Sequence, residues 1–188
     1  MSDSKKGLVT FNELAREAFA MQPLEMAAPL KKNQCSLFIG IPKEITSQEN
    51  RIPLSPSSIE FLVQNGHEIV IESKAGAAAN FSDDKFSEAG ARIVHSHEEI
   101  FKADIILKIE PPTDAEIELM RPDQILVSAL QLDQMNPVLL NKLILKRVNA
   151  IAYEFLQDDS GSFPIIRAMS EMAGHASILL ASEYLNNA

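Results

Sequence analysis

The stretch SPSSIEFLVQNGHEIVIE (55–72) changes its periodicity once, at Gly66. Ser55 is an N-cap candidate and Pro56 stands at the first helical position, so a helix is predicted up to Gly66. The six residues HEIVIE (67–72) form a short, β-branched, apolar run, which is typical of a buried strand. A helix that leads directly into a buried strand is the repeating unit of α/β proteins.

The same alternation continues on both sides of this unit. Strands are predicted at 35–41, 67–72, 91–95, 104–109, 124–130 and 149–156. Helices are predicted at 55–66, 82–90, 97–102, 114–120 and 136–146, and a last one begins at Ser170 and continues to the end of the chain. We therefore predict an α/β fold: a mostly parallel sheet flanked by helices on both faces, Rossmann-like or flavodoxin-like. In such sheets the functional groups cluster at the carboxyl ends of the strands.

Residues 1–34 differ from the rest of the chain. Apolar residues recur there with helical spacing at Phe11, Leu14, Ala15, Ala18 and Phe19. Pro23 and Pro29 then break the pattern. We predict an N-terminal extension with one short helix that packs on its own or a neighbouring subunit, followed by a single domain at 35–188.

The composition excludes several classes of protein. With 17 basic and 26 acidic residues and a net charge of −9, the chain lacks the basic surface of a general nucleic-acid binder. Cys35 is the only cysteine, so no intramolecular disulfide can form, and a reducing, cytoplasmic setting is expected. No apolar stretch reaches the roughly 20 residues of a membrane helix, so we expect no membrane contact by this chain.

Two kinds of binding motif are missing. The seven glycines are too far apart to form G-x-G-x-x-G, so the chain lacks the turn that holds a dinucleotide pyrophosphate. His95 and His97 are spaced like metal ligands, but no third ligand supports a site. We expect no metal and interpret the two histidines as a solvated pair beside Glu98 and Glu99.

Arg51 is a candidate for binding an anion. It lies in the loop 40–56, between Pro42 and Pro53, and leads into apolar residues. An arginine whose stem is surrounded by apolar side chains suits bidentate capture of a carboxylate. A surface ion pair with Glu49 explains the same pattern equally well.

Further candidates stand at the ends of the later strands. Lys108 lies inside an apolar run, where a lysine is costly unless it is paired or used to polarise a carbonyl or bind an anion. A salt bridge with Glu110, or a lysine extending to solvent from an edge strand, is the alternative. Gln131 ends the fifth strand. Ser170 either caps the last helix or helps its N-terminus to bind an anion.

Several segments, taken in order, resemble one known family. They are IGIPKEITSQENRIPLSP, GHEIVIESKAGAAANFSDDKFSEAGARIV, ADIILKIEPP, AIAYEF and AMSEMAG. Together they resemble the N-terminal region of alanine dehydrogenase, and the similarity runs from about residue 37 to residue 184. The same superfamily includes the alpha subunit of proton-translocating nicotinamide nucleotide transhydrogenase.

The resemblance implies a reaction and a domain role. In that family this region is the catalytic, or substrate, domain, and a separate Rossmann domain binds most of the NAD. We therefore expect the chain to be part of a longer protein, and the isolated domain to be inactive. The implied reaction converts L-alanine, water and NAD to pyruvate, ammonium and NADH. A homo-oligomer is the default expectation.

The resemblance also assigns residues. Arg51 matches the arginine that holds the substrate carboxylate, and Lys108 the lysine that contacts the substrate beside its oxo group. Met169 and Ser170 match positions near the cofactor. Gln131 stands where the family has a catalytic histidine. An amide cannot shuttle protons, so either another group supplies the proton, such as a carboxylate of the separate domain, or the chemistry differs. A transhydrogenase-type domain and a non-catalytic binding or assembly module are the alternatives.

Overall fold

The fold is a single parallel sheet with helices on both faces. The computed structural model describes residues 36–46, 49–133 and 135–186. The strands are β1 (Phe38–Ile41), β2 (Glu68–Glu72), β3 (Arg92–Val94), β4 (Ile105–Leu107), β5 (Ile125–Ser128) and β6 (Asn149–Ala152). The helices are α1 (Pro56–Gln64), α2 (Asp83–Glu88), α3 (His97–Ile100), α4 (Asp114–Leu119), α5 (Pro137–Lys146) and α6 (Pro164–Asn186). This architecture confirms the predicted fold class.

The strand order explains where a site should lie. The order is β3-β2-β1-β4-β5-β6, and every neighbouring pair is parallel. This is the order of the Rossmann fold, in which the chain reverses its direction of travel across the sheet between β1 and β4. Loops on either side of that point diverge and leave a crevice at the carboxyl edge of the sheet. Of the two sheet types predicted, the structure is therefore the Rossmann type.

Side chains of β2 show how the sheet builds two cores. Ile69 and Ile71 point to one face, where they pack with Ile59 of α1 and Phe86 of α2. Val70 points to the other face, into a cluster with apolar residues of α3, α4 and α5. Successive side chains of a strand alternate between faces, so an unbroken apolar run is what a doubly covered strand requires.

Gly40 allows β1 to approach a neighbouring segment closely. A Cβ atom at this position would lie 2.7 Å from the carbonyl oxygen of Ile100 and 2.9 Å from the Cβ of Ala103. No side chain fits into that space without a shift of the backbone. The middle of β1 therefore packs directly against the end of α3.

Helices α1 and α5 each begin directly after a residue whose side chain caps the helix. Ser55 accepts a hydrogen bond from the N–H of Ser58, and Pro56 is the first residue of α1, as predicted. Asn136 likewise accepts from Val138 at the start of α5. These contacts satisfy N–H groups that have no partner inside the helix.

Two boundaries differ from the sequence predictions. The predicted strand 149–156 ends at Ala152, and Tyr153–Phe155 forms a 3₁₀ helix. The last helix begins at Pro164 rather than at Ser170, because proline is well tolerated in the first helical turn. The predicted helix within 1–34 lies outside the described residues, and the division at residue 34 stays a prediction. No helix among the described residues has the length and apolarity needed to cross a bilayer.

Candidate active site

A cavity of about 270 Å³ lies at the carboxyl ends of β4, β5 and β6. Glu110 lines it after β4, Gln131 after β5 and Glu154 after β6. Arg51 reaches it from the loop after β1, and Met169 closes it from α6. The structure thus brings together three of the predicted site residues, which are 118 positions apart at their extremes.

Arg51 forms the ion pair with Glu49 and also lines the cavity, while its capture of an anion stays a prediction. Its Nε donates to Oε1 of Glu49 over 2.8 Å, and its Nη2 donates to the other oxygen of that carboxylate. Its Nη1 takes no part in this pair and lies 3.9 Å from Sδ of Met169. The bond from Arg51 lowers the pKa of Glu49, although burial acts in the opposite direction. The guanidinium is therefore held in place while one amino group remains at the cavity.

Gln131 has an unusual backbone. Its φ of 47° lies in the left-handed region, which costs a residue with a side chain about 1 kcal/mol or more. Two hydrogen bonds fix it there. Its N–H donates to Oε1 of Glu154 over 2.8 Å, and its carbonyl oxygen accepts from the N–H of Met135 over 2.9 Å. The side-chain amide lines the cavity, where it can orient a ligand but cannot exchange protons.

Glu154 and Tyr153 follow directly after β6. Oε1 of Glu154 is engaged by Gln131, whereas Oε2 is buried and has no hydrogen-bond partner among the described residues. The Tyr153 hydroxyl donates to the carbonyl oxygen of Ile109 over 3.1 Å, and burial raises the pKa of Tyr153. The sequence identified these residues only as a strand end. Their one signal was a pair of polar residues following an apolar run.

Lys108 lies outside the cavity. It is 1% exposed, and its Nζ donates to both carboxylate oxygens of Glu116 over 2.8 and 2.9 Å. Oε2 of Glu44 lies 3.5 Å from the same nitrogen. The salt bridge suggested with Glu110 is wrong, because Lys108 shares the α4 face of β4 and finds Glu116 there. Its contact with a substrate stays a prediction that this geometry does not support.

The carboxylate of Glu44 joins this lysine to the cavity wall. Oε1 of Glu44 accepts the N–H of Ile109 over 2.6 Å, and Ile109 lines the cavity. Burial raises the pKa of Glu44, and the charge of Lys108 opposes that change. We call Lys108, Glu116 and Glu44 the buried charge cluster. It supports the backbone just before Glu110.

His97 is attached to the same cluster. Its Nδ1 lies 2.7 Å from Oε2 of Glu72, and its Nε2 lies 3.7 Å from Oε1 of Glu116. The bond to Glu72 raises the pKa of His97, against the effect of burial. The prediction of a solvated histidine pair is therefore wrong for His97, although His95 is exposed. No group of three or more His, Cys, Asp and Glu side chains in the described part of the chain could hold a metal ion.

The two residues predicted to lie near the cofactor, Met169 and Ser170, have different surroundings. Met169 lines the cavity, whereas Ser170 is exposed, does not line it and lies in the second turn of α6. Ser170 therefore does not stand among the free N–H groups that would make a helix start attractive to anions. The crevice between β1 and β4 is bridged by the Glu44 carboxylate.

Comparison with known proteins gives a consistent answer. Residues 40–173 match the model of the family described as alanine dehydrogenase/PNT, N-terminal domain. An alanine dehydrogenase of Staphylococcus epidermidis is 39% identical over 147 residues, which are 78% of this chain and 39% of that protein. One of Methanococcus maripaludis is 39% identical over 150 residues, or 79% of this chain and 40% of that protein.

Solved structures agree. An L-alanine dehydrogenase superposes with a TM-score of 0.72 at 39% identity, covering 76% of this chain and 39% of that one. A transhydrogenase from Sinorhizobium meliloti reaches 0.58 at 25% identity, covering 63% of this chain and 35% of that one. This chain therefore spans about two fifths of the length of such relatives. By its family match, its relatives and its fold, the chain belongs to the alanine dehydrogenase/PNT N-terminal domain family.

Proposed function

We propose that the full-length protein carrying this chain is an NAD-dependent oxidoreductase that interconverts L-alanine and pyruvate plus ammonium, and that this domain holds the substrate. The observation that carries the proposal is Arg51, fixed by Glu49 at the wall of a small cavity in a domain of this family. Its free Nη1 edge can donate to a substrate carboxylate. The cavity volume of about 270 Å³ suits a small acid rather than a large ligand.

The cofactor is proposed to reach the cavity from outside this chain. NAD supplies the hydride acceptor for alanine oxidation. Met169 offers an apolar wall for its nicotinamide end, and Ser170, one residue further along α6, is a weaker candidate. The Glu44 carboxylate in the β1–β4 crevice supports the view that other residues hold the pyrophosphate. The 188-residue chain should then be inactive by itself, and NADH turnover by this chain alone would contradict that.

Assembly and location are further proposals. Several apolar side chains of α6 are exposed: Ile178, Leu179, Leu180, Tyr184 and Leu185. Because a contiguous exposed apolar surface commonly marks an interface, we propose a homo-oligomer. The single cysteine and the amino-acid substrate fit a cytoplasmic protein. Sedimentation of the full-length protein as a monomer at micromolar concentration would contradict the oligomer.

Replacement of Arg51 tests the substrate assignment. In the full-length protein, Arg51→Ala should raise the KM for pyruvate at least tenfold, since a charged hydrogen bond contributes about 1.5–3 kcal/mol. Arg167→Ala is the matched control, because Arg167 forms an exposed pair with Glu171 on α6. An unchanged KM would remove Arg51 from the site. A wild-type protein that forms no alanine from pyruvate, ammonium and NADH would overturn the function itself.

Gln131 favours a second candidate function. Direct hydride transfer between two nicotinamide nucleotides needs no acid–base group, and the chain resembles a transhydrogenase structure as well. The two functions separate in one assay with NADH and an oxidised nicotinamide analogue, with and without pyruvate and ammonium. Analogue reduction that needs neither pyruvate nor ammonium would favour the transhydrogenase type. If neither reaction occurs, a binding or assembly role remains.

A further inference from the structure

We propose that Glu154 is the acid–base catalyst of this site and performs with a carboxylate the proton transfer that Gln131 cannot perform. The proposal rests on the proposed amino-acid oxidoreductase function and names the group that makes it chemically possible. It places the proton shuttle inside this chain rather than in a separate domain.

The geometry of Glu154 supports the role. Glu154 lines the same cavity as Arg51, the residue proposed to hold the substrate carboxylate. Oε1 is fixed by the N–H of Gln131 at 2.8 Å. Oε2 is buried without a partner among the described residues, which is costly unless a ligand or water completes it. One oxygen is thus anchored, and the other is buried with an acceptor that no described residue uses, so a water or substrate atom that enters beside it would be its first partner.

The neighbouring titratable groups are less suitable. The Tyr153 hydroxyl already donates to Ile109, and burial raises the pKa of Tyr153, so it does not ionise readily. Lys108 is saturated by the carboxylates of Glu116 and Glu44. Asp133 is exposed at the cavity rim. Glu110 is half-buried in the cavity wall and is the one serious competitor.

The backbone of Gln131 accounts for the position of Glu154. The N–H of Gln131 donates to Oε1 of Glu154 over 2.8 Å, and the residue adopts the left-handed conformation at φ 47°. This hydrogen bond holds the carboxylate that the reaction requires. Gln131 is a positioning residue for Glu154.

The proton transfers balance as follows. The substrate ammonium group first releases one proton to solvent, and the resulting amine passes the hydride on its Cα to the oxidised nicotinamide, which leaves an iminium ion. Water then adds to the iminium carbon, and one water proton moves to the carboxylate of Glu154. Glu154 returns this proton to the nitrogen of the carbinolamine. The C–N bond then breaks, ammonia leaves, and the hydroxyl proton moves to Glu154 as the carbonyl of pyruvate forms. Ammonia takes that proton from Glu154 and leaves as ammonium, so the carboxylate is restored.

The main variant is Glu154→Gln in the full-length protein. Glutamine retains an oxygen that can accept the N–H of Gln131, but it cannot carry a proton. We expect kcat for alanine oxidation to fall roughly 100- to 1000-fold, with the KM for pyruvate changed less than about threefold, because general acid–base groups typically contribute about 10²–10⁴-fold. Glu171→Gln, on the exposed face of α6, should leave both constants unchanged.

Two further readouts separate catalysis from a structural role. Formate or acetate should restore part of the activity of Glu154→Ala, and the restored rate should rise with the concentration of the added carboxylate. Gln131→His in the Glu154→Gln background should also restore turnover, since an imidazole would then stand beside the substrate. Neither rescue is expected if Glu154 only supports the backbone.

The outcomes distinguish the two proposals. If the wild type interconverts alanine and pyruvate but Glu154→Gln retains its kcat, the acid–base proposal fails and the function stands. If the loss occurs in Glu110→Gln instead, the catalyst is Glu110. If the wild type shows no such reaction, the proposed function fails first. Loss without either rescue, together with a raised KM, would assign Glu154 a structural role and overturn the proposal.

Discussion

Two regions at the carboxyl edge of one sheet use similar residues in opposite ways. In the buried charge cluster, Nζ of Lys108 donates to both carboxylate oxygens of Glu116, deep inside the domain. In the cavity, Nε and Nη2 of Arg51 are engaged by Glu49, whereas Nη1 has, among the described residues, only the sulfur of Met169 at 3.9 Å. The difference shows that a charged residue at a strand end does not by itself indicate a ligand. Lys108 is buried and finds its partner inside the domain, whereas Arg51 keeps a donor at the wall of a cavity.

The largest expected effect is on the stability of the buried charge cluster. Lys108→Met should reduce the free energy of unfolding by about 3–5 kcal/mol, because it leaves buried carboxylates without their cation. Urea denaturation of the protein measures the change. Lys108→Met combined with Glu116→Gln removes both charges and should recover much of the loss, since the new amide oxygen can still accept the N–H of Thr113. A single variant as stable as the wild type would contradict the ion pair.

Arg51→Ala should weaken pyruvate binding and should reduce stability less than Lys108→Met does. Its pair with Glu49 is 52% exposed on the arginine side but only 5% exposed on the glutamate side, so it lies between a surface pair and a buried one. The free energy of unfolding should therefore fall by less than the roughly 3–5 kcal/mol expected for a fully buried pair, while pyruvate binding weakens at least tenfold. A loss of stability as large as that of Lys108→Met would remove the distinction between the two regions.

A smaller effect is expected where the cluster joins α4. The Thr113 hydroxyl accepts the N–H of Glu116, and Oε2 of Glu116 accepts the N–H of Thr113. Thr113→Ala should cost about 1 kcal/mol of stability. Ser82 occupies the same position in α2 without a side-chain bond, so Ser82→Ala is the control and should be near neutral. Equal effects of the two variants would contradict the capping box.

The smallest effect is a dependence of stability on pH. The pKa of His97 is raised in the folded protein. Its contribution to stability is therefore complete below pH 6.5 and is lost as the pH rises through the pKa of the folded state. The pKa of Glu72 is lowered because His97 and the N–H of Lys43 outweigh burial, so its stabilisation is complete above 4.5 and is lost as the pH falls through its folded value. The pair of His97 with Glu72 should therefore stabilise the fold most between pH 4.5 and pH 6.5.

His97→Asn should flatten this profile by about 0.5–1 kcal/mol between about pH 6 and 9. Thermal unfolding over that range measures the slope. His95→Asn is the matched control, because His95 is exposed. An unchanged slope in His97→Asn would show that the pair does not titrate in this range.

The fold was predictable because its signals are local. The cap at Ser55, the proline at 56 and the apolar runs of the strands all act within a few residues, and the parallel sheet follows from their alternation. The end of β6 was missed because Tyr153 and Phe155 are aromatic residues of a kind enriched in strands, whereas the structure places both in a 3₁₀ helix. Pro164 is a local start signal for α6 of the same kind as Pro56 is for α1.

The site was only partly predictable. Arg51 could be recognised from its loop, but its pair with Glu49 and its reach to the cavity are separate facts that only the fold decides. Lys108 has the sequence context of a functional lysine, yet its partner Glu116 lies eight residues away on another element. Glu154 is recognisable only after Gln131, 23 residues earlier, has been placed beside it. Long-range pairing of this kind leaves no local pattern.

Gly40 limits how this domain can change during evolution or engineering. A hydrogen atom is the largest substituent that the contact with Ile100 and Ala103 accommodates. The two other inner residues of β1, Ile39 and Ile41, can exchange one apolar side chain for another, whereas every substitution at Gly40 must first separate β1 from α3. A saturation library of β1 should therefore accept no residue at position 40 other than glycine. Gly40, the smallest residue of β1, therefore limits which mutations this strand tolerates.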